Sequence, residues 1–355
     1  MVRKLSLRDF RCFARFELEF HPEVTCIVGG NALGKTSLLE AIAVLTRLQS
    51  PRTSSLLPVI RSSAPGFVTD GFVDRSHLQF YYSAKRKKLA LDSVEQKDPL
   101  RYLEVARLVF FGSSDIDLIR GAGEERRRFM DFLGSQLLPS YREILRSYAK
   151  ALRSRNAYLK MSPARPREIS AYTKPLLNFG NQLTALRNAL VQQLEPHVAA
   201  GYKAVSDLGE PVAVQYHSGA TANFEEALGA SAEEEGRLRA TVVGPHRDDI
   251  RLLLHDQPAN LFGSEGQQRT LAIALKLGQA ILLETEFGRS PVLLLDDIFG
   301  ELDRTRRNRL ITNLPAGSQK IIATTSLAWL DQKSAGTVYE LKEDPVQGRV
   351  LVPCE

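Results

Sequence analysis

Cysteine is scarce in this chain: three residues, Cys12, Cys26 and Cys354, scattered and odd in number. That excludes a disulfide framework and offers no zinc-type spacing, which points to a reducing compartment. Long apolar runs are also missing. No stretch is long enough to span a membrane, and Met1 to Ser6 lacks the apolar core of a signal peptide, so the expectation is a soluble, cytoplasmic protein with no membrane partner. There is no internal repeat, no low-complexity tract and no heptad region able to form a coiled-coil arm. What is present is an ordinary globular composition, 43% hydrophobic over 355 residues, enough for two domains or one large domain with an insertion. The formal net charge is +6, which favours a polyanionic partner without identifying one.

Against that background one stretch stands out. Gly29 to Thr36 reads G-x-x-x-x-G-K-T, the pattern of a phosphate-binding loop. The apolar run Val24–Val28 before it reads as a buried strand, and Leu38, Leu39, Ile42 and Leu45 after it have helical spacing. Strand, glycine-rich loop and helix together aim free backbone N–H groups and the positive end of a helix at an anion. Gly29, Gly30, Asn31, Gly34, Lys35, Thr36 and Ser37 are therefore the candidate nucleotide-binding residues. Lys35 would reach the β- and γ-phosphates and the Thr36 hydroxyl would ligate Mg²⁺.

The second half of such a site lies far along the chain. Pro291 to Leu295 is an apolar run ending in Asp296-Asp297, the acidic pair that usually holds Mg²⁺ opposite a P-loop. Asp296 is the candidate metal ligand with Thr36, and Asp297, with Lys35, the candidate catalytic residue. Glu301-Leu302-Asp303 follows, with Asp303 placed to cap a helix from Arg304. Before the acidic strand, Ser264 and Gln267 fit a capping box at the start of a long apolar helix. A GTPase or small P-loop kinase brings its two phosphate-site motifs much closer in sequence. Here both ends of the chain must fold into one α/β head.

Between them, strands are expected over 3–28 and 67–93, and a Ser-, Pro- and Arg-rich loop over 49–66. The basic turn Lys85 to Lys88 suits either phosphate contact or a solvated hairpin tip. From Glu124 to about Ser206 the periodicity is helical, broken at Pro163 to Pro166. In its second helix Arg142, Arg146, Lys150 and Arg153 align in one stripe opposite Leu145, Ala149 and Leu152. The stripe is a candidate DNA-binding face and equally a solvated one. A strand over 211–217 is expected to return towards the first domain. Gly244 to Asp249 forms a polar turn, in which His246 reads as structural rather than catalytic. The domains read as 1–115 and 241–355, the two parts of the nucleotide-binding lobe, around a helical lobe at 116–240.

With these motifs in this order, the chain resembles the ABC-type ATPases of the SMC-like group, and within that group the RecF family. The resemblance rests on Leu7 to Arg11 with Phe13, the P-loop with Leu39 to Ile42, Asp115 to Leu118, Arg127 to Asp131 and Arg155-Asn156. It also rests on Gly244 to Asp249, Gly266 to Thr270 and Leu294 to Asp297. Gly300 and Ser326 depart from the pattern; many ABC ATPases place a switch histidine at the latter. The resemblance implies an ATPase head built from both chain ends with a helical second lobe and no long coiled coil. It implies slow ATP hydrolysis with Mg²⁺, and an ATP-dependent homodimer in which Ser264, Gly266 and Gln267 of one subunit close on the other's γ-phosphate. It further implies binding to gapped or duplex DNA and action with RecO and RecR in loading RecA. The alternative is a motor subunit of another ABC assembly, in transport or chromosome structuring.

Overall fold

Buried and exposed side chains alternate along the first two strands, β1 (Val2–Phe10) and β2 (Phe13–Glu19), with Leu5, Leu7, Phe10, Phe13, Phe16 and Leu18 turned inward. The alternation slips between Leu7 and Phe10, between Phe13 and Phe16, and between Val2 and Leu5, where the pairing register of β1 shifts between Val2 and Lys4. A computed structural model describes residues 1–163, 165–206, 209–220, 223–327, 336–344 and 348–354. After β3 (Val24–Val28) come helix α1 (Lys35–Arg47), β4 (Gly66–Val73), β5 (Ser76–Ser83), β6 (Lys87–Leu91), β7 (Val94–Glu95) and β8 (Leu108–Gly112). Helices α2 (Gly123–Leu137), α3 (Tyr141–Leu159) and α4 (Pro166–Val205) follow, then β9 (Val212–His217), β10 (Asp249–Leu254) and β11 (Gln257–Pro258). Helix α5 (Glu265–Phe287), β12 (Val292–Asp296), helix α6 (Arg304–Asn313), β13 (Lys320–Thr324), β14 (Thr337–Asp344) and β15 (Gly348–Pro353) complete the chain.

The chain divides into two compact units, Met1–Ser114 with Ala280–Glu355, and Asp115–Gln279. In the first, an antiparallel sheet runs β2-β1-β4-β5-β6-β7, and a second sheet runs β15-β14-β3-β13-β12-β8. Strands β14, β3, β13, β12 and β8 pair in parallel, with β15 antiparallel at the edge. Strands from both ends of the sequence therefore interleave in one sheet: β3 pairs with β13, Cys26 opposite Ile322. Helix α1 touches β12 and β13 of one sheet and β1, β4 and β5 of the other, and every residue from Leu38 to Arg47 is buried. A helix covered on all sides should be apolar all round; its polar members are therefore paired. Arg47 donates to the carbonyls of Leu103 and Ala106, and Thr46 Oγ1 to that of Ile42.

In the second unit α3 and α4 pack together, α4 running 40 residues through Pro175 and Pro196. Their core is Tyr141, Tyr148, Ala151, Leu176 and Leu183 with Phe224 and Leu228. Leu145 and Leu152 pack against it as expected, but Ala149 is not part of it. The inward face of α3 is carried by its tyrosines and by Arg155, because aromatic rings and a paired guanidinium fill volume that aliphatic spacing alone does not reveal. Strand β9 does not return to the first unit. It pairs with β10 in a small antiparallel sheet, β11-β10-β9. This pairing keeps the segment after Thr241 with the helical unit, so the second division falls within α5 at Gln279/Ala280 rather than near residue 240. The basic residues Lys87 and Lys88 belong to strand β6, not to a turn.

Candidate nucleotide site

The loop from Gly29 to Gly34 joins β3 to α1, and two of its glycines are dictated by crowding. Gly34 has φ +110°, and a Cβ there would lie 2.6 Å from Cys12 Sγ and 2.9 Å from the Phe13 ring. A Cβ on Gly29 would meet the carbonyl oxygen of Leu341 at 2.7 Å. Only glycine lets the loop turn this tightly against its neighbours. Lys35 is buried, and its Nζ donates to the carbonyls of Gly29 at 2.8 Å and Gly30 at 2.9 Å. Burial lowers its pKa, against the opposing pull of Asp297 and Asp296. The ammonium is thus held at the loop mouth, among backbone groups that suit a phosphate.

Strand β12 delivers Asp296 to the same place. The Thr36 hydroxyl donates to Asp296 Oδ1 at 2.9 Å. Burial pushes the Asp296 carboxyl up to about 6, outweighing the hydrogen bond from Thr36 and the charge of Arg52; Asp297 adds to the rise. A hydroxyl and a buried carboxylate in contact are what Mg²⁺ takes from a protein when phosphate oxygens and water supply the rest. Among the described residues no group of three or more His, Cys, Asp or Glu could cage a metal alone. Asp297, next along, sits in the left-handed region at φ 53°. Its Oδ1 accepts from Thr324 Oγ1 and the Thr325 N–H, both at 3.4 Å, so the end of β13 fixes its direction.

These groups line a cavity of about 570 Å³, together with Asn31, Ser37, Arg11, Arg52, Pro58 and Ser113. Of the two arginines, Arg11 belongs to the family-resembling stretch Leu7 to Arg11, and Arg52 is the residue that sequence reading missed. Glu40, fully buried in α1, accepts from Arg11 Nε and Nη2 at 2.8 and 2.7 Å, from Ser50 Oγ at 2.5 Å and from Arg52 Nη1 at 3.4 Å. Arg11 Nη1 also donates to the Pro58 carbonyl. One buried carboxylate therefore pins the β1–β2 turn and the 49–66 loop beside the phosphate loop. Arg11 and Glu40 carried a sequence signal as members of the stretches Leu7 to Arg11 and Leu39 to Ile42, and Arg52 carried none.

Beyond the acidic strand, Leu302 is buried and Asp303 caps α6 by accepting from the Arg306 N–H at 2.9 Å. Arg307 ties the segment down through the carbonyls of Phe299 and Leu302. Gly300 and Glu301 are exposed.

Ser264, Gly266 and Gln267 lie in the second unit. The capping box forms: the Ser264 N–H donates to Gln267 Oε1 at 2.6 Å, and the Gln267 N–H to Ser264 Oγ at 3.3 Å. Of the basic stripe on α3, Arg146, Lys150 and Arg153 are exposed and Arg142 is half-buried. The Gly244–Asp249 turn is wired from below. Asp248, fully buried, accepts from Arg187 Nη1 at 2.9 Å, from the Gly219 N–H at 2.8 Å and from the Tyr216 hydroxyl. Burial alone would lower the Arg187 pKa; Asp131, Tyr141 and Asp248 overcome this and hold it well above its ordinary value. His246 is structural: Nε2 is 2.9 Å from the Thr241 carbonyl, and Nδ1 is 2.7 Å from the Tyr148 hydroxyl. Because a carbonyl can only accept, Nε2 carries the proton and Nδ1 accepts from Tyr148, as suits a ring whose pKa burial lowers.

Comparison with known proteins agrees with this geometry. The model of the RecF/RecN/SMC N terminal domain matches residues 1–342. The DNA replication and repair protein RecF of Lactococcus lactis subsp. cremoris is 31% identical over 332 residues, covering 92% of each chain. Its counterpart from Synechocystis sp. is 32% identical over 380 aligned residues, covering 100% of this chain and 99% of that one. A solved structure of the recombination mediator protein RecF-ATP in the RecFOR pathway superposes with a TM-score of 0.87 at 26% identity, over 100% of this chain and 97% of that one. By sequence along nearly its whole length, and by a head assembled from both chain ends, this chain belongs to the RecF family of SMC-like ABC ATPases.

Proposed function

We propose that this chain is a slow, Mg²⁺-dependent ATPase of recombinational DNA repair, whose ATP-bound homodimer binds gapped or duplex DNA and promotes RecA loading with RecO and RecR. The observation that carries the reading is the 2.9 Å contact of Thr36 with Asp296 beside the buried Lys35, at the mouth of one cavity. Bound Mg²⁺ would neutralise phosphate charge there. Gly29, Gly30, Asn31, Gly34 and Ser37 offer backbone and side-chain donors to the phosphates. Lys35 exchanges the loop carbonyls for phosphate oxygens. Arg52, near enough to Asp296 to lower its pKa, adds positive charge on the opposite wall. Asp297, aimed by Thr324 and Thr325, accepts a proton from the attacking water or orients it.

Ser264 and Gly266 begin a helix of 23 residues, so their N–H groups present a partial positive charge. In a two-fold dimer each subunit supplies one P-loop and one such helix end, and two nucleotides are shared. Gln267 holds Ser264 in place by the capping box, and Glu301 to Asp303 lie at the same interface. The transport-motor alternative is disfavoured by the long helical insertion between the two halves of the site and by the net charge of +6.

The test is a pair of substitutions. Lys35→Met should lose nucleotide affinity while its circular dichroism stays that of the wild type. Asp297→Asn should keep affinity and lose hydrolysis, with the wild type turning over well below one ATP per second without DNA. Undiminished nucleotide affinity in Lys35→Met would refute the site.

A further inference from the structure

Two exposed apolar patches adjoin the two halves of the proposed shared site. In the second unit the short helix Ala259–Phe262 ends just before Ser264. Its Leu261 is 71% exposed and its Phe262 67%, the most exposed large apolar side chains among the described residues. The turn that carries them is rigidly held. Gln268, itself buried, donates Nε2 to the carbonyls of Ala259 at 3.0 Å and Gly263 at 2.9 Å. Its Oε1 accepts from Arg120 Nε at 2.6 Å. In the first unit Leu57, 49% exposed, opens the turn Leu57–Val59. The next residue, Pro58, lines the nucleotide cavity and is tied to Arg11 through its carbonyl. Each patch is thus a fixed apolar surface beside a polar site, the kind of exposed surface that marks an interface.

We infer that in the nucleotide-bound dimer Leu261 and Phe262 of one copy pack on Leu57 and Pro58 of the other. This rests on the dimer reading above and deepens it. The occupant is a second copy because the chain carries both members of the pair. One adjoins Ser264, the other adjoins the phosphate loop that Ser264 of the opposite copy is read to meet. In a two-fold interface a contact of one surface with a different one is made twice, so each nucleotide gains an apolar flank that sheds water. A few side chains fall far short of the roughly 1,200 Å² that a stable interface buries in total. The contact therefore adds to nucleotide-driven association without sustaining a dimer in its absence.

Phe262→Asp tests this, since an exposed position tolerates the change without loss of fold. With a non-hydrolysable ATP analogue and Mg²⁺, the variant should bind the analogue as the wild type does. Because the contact is made twice, the variant's dimerisation constant should weaken roughly a hundredfold or more, the effect of losing two buried aromatic side chains. Phe262→Leu should dimerise nearly as well as the wild type. In a Cys354→Ser background, Leu57→Cys with Phe262→Cys should form a covalent dimer under mild oxidation with the analogue and not with ADP. Wild-type dimerisation in Phe262→Asp, or no cross-link while the parent dimerises, overturns the inference. A wild type that stays monomeric with saturating analogue overturns the dimer reading itself, and this contact with it.

Discussion

Thr36 and Asp296 stand 260 residues apart in sequence and 2.9 Å apart in space. One opens helix α1 and the other closes strand β12, and parallel pairing of β3, β13 and β12 brings them together. The nucleotide site is therefore a product of the fold's closure, and anything that separates the two chain ends dismantles it.

The Asp296 carboxyl gives a pH signature. Its pKa, raised by burial from 3.8 to about 6, means that between those values the folded chain holds a proton the unfolded chain has released. The group favours folding at low pH, and that contribution is lost as pH rises through about 6. Asp296→Asn removes the cost, so at pH 8 the nucleotide-free variant should be more stable than the wild type, by on the order of 1–3 kcal/mol, and the difference should shrink towards pH 4. Urea denaturation at the two pH values measures it. Mg²⁺-dependent nucleotide affinity should move oppositely, falling in the wild type below about pH 6 and low in Asp296→Asn throughout.

A second prediction concerns the buried network beneath Gly244 to Asp249. Asp248→Ala would leave Arg187, Tyr216 and the Gly219 N–H short of a buried acceptor. Breaking a buried pair by removing one partner costs about 3–5 kcal/mol; the surviving Asp131 contact at 2.8 Å places the expected loss at the lower end. Asp248→Asn, which keeps one acceptor, should lose less. Chemical denaturation separates the two: equal stabilities would show that the retained acceptor carries nothing, and an Asp248→Asn variant as stable as the wild type would show that the charge carries nothing.

The third concerns the stripe on α3. If Arg146, Lys150 and Arg153 meet phosphates, DNA affinity should fall with salt by a slope of about −0.9 for each duplex contact. Charge reversal at Arg146 and Lys150 should weaken binding to every sequence alike and flatten that slope by about two contacts. A slope unaltered by the double variant would leave the stripe a solvated face.

What could be read from the sequence was local. The P-loop, the acidic strand end, the Ser264–Gln267 box and the Asp303 cap all depend on spacings of a few residues, and each takes the expected conformation. The rest depends on partners that sequence does not pair. Glu40 looks like a misplaced charge in an apolar helix until Arg11 and Arg52 arrive from elements 29 and 12 residues away. Tyr141 and Tyr148 lie outside the aliphatic pattern of Leu145, Ala149 and Leu152, yet they belong to the core beneath α3. The strand expected to return to the first domain, β9, pairs instead with β10, because a strand's pattern does not name its partner, and the Gln279/Ala280 division follows from that pairing. Thr324, at the end of β13, and Thr325, just after it, reach Asp297, whereas the position of the switch histidine falls one place further on, at Ser326.

The most direct test of the nucleotide switch is sedimentation velocity of the wild type and Ser264→Arg, with Mg²⁺ and either a non-hydrolysable ATP analogue or ADP. A ligand that binds the dimer better than the monomer must shift the population towards dimer. The wild type should sediment as a dimer with the analogue and as a monomer with ADP. Ser264→Arg should bind the analogue through its intact P-loop and remain monomeric. A wild type that stays monomeric with saturating analogue, or a Ser264→Arg variant that dimerises as readily, would contradict the shared-site account.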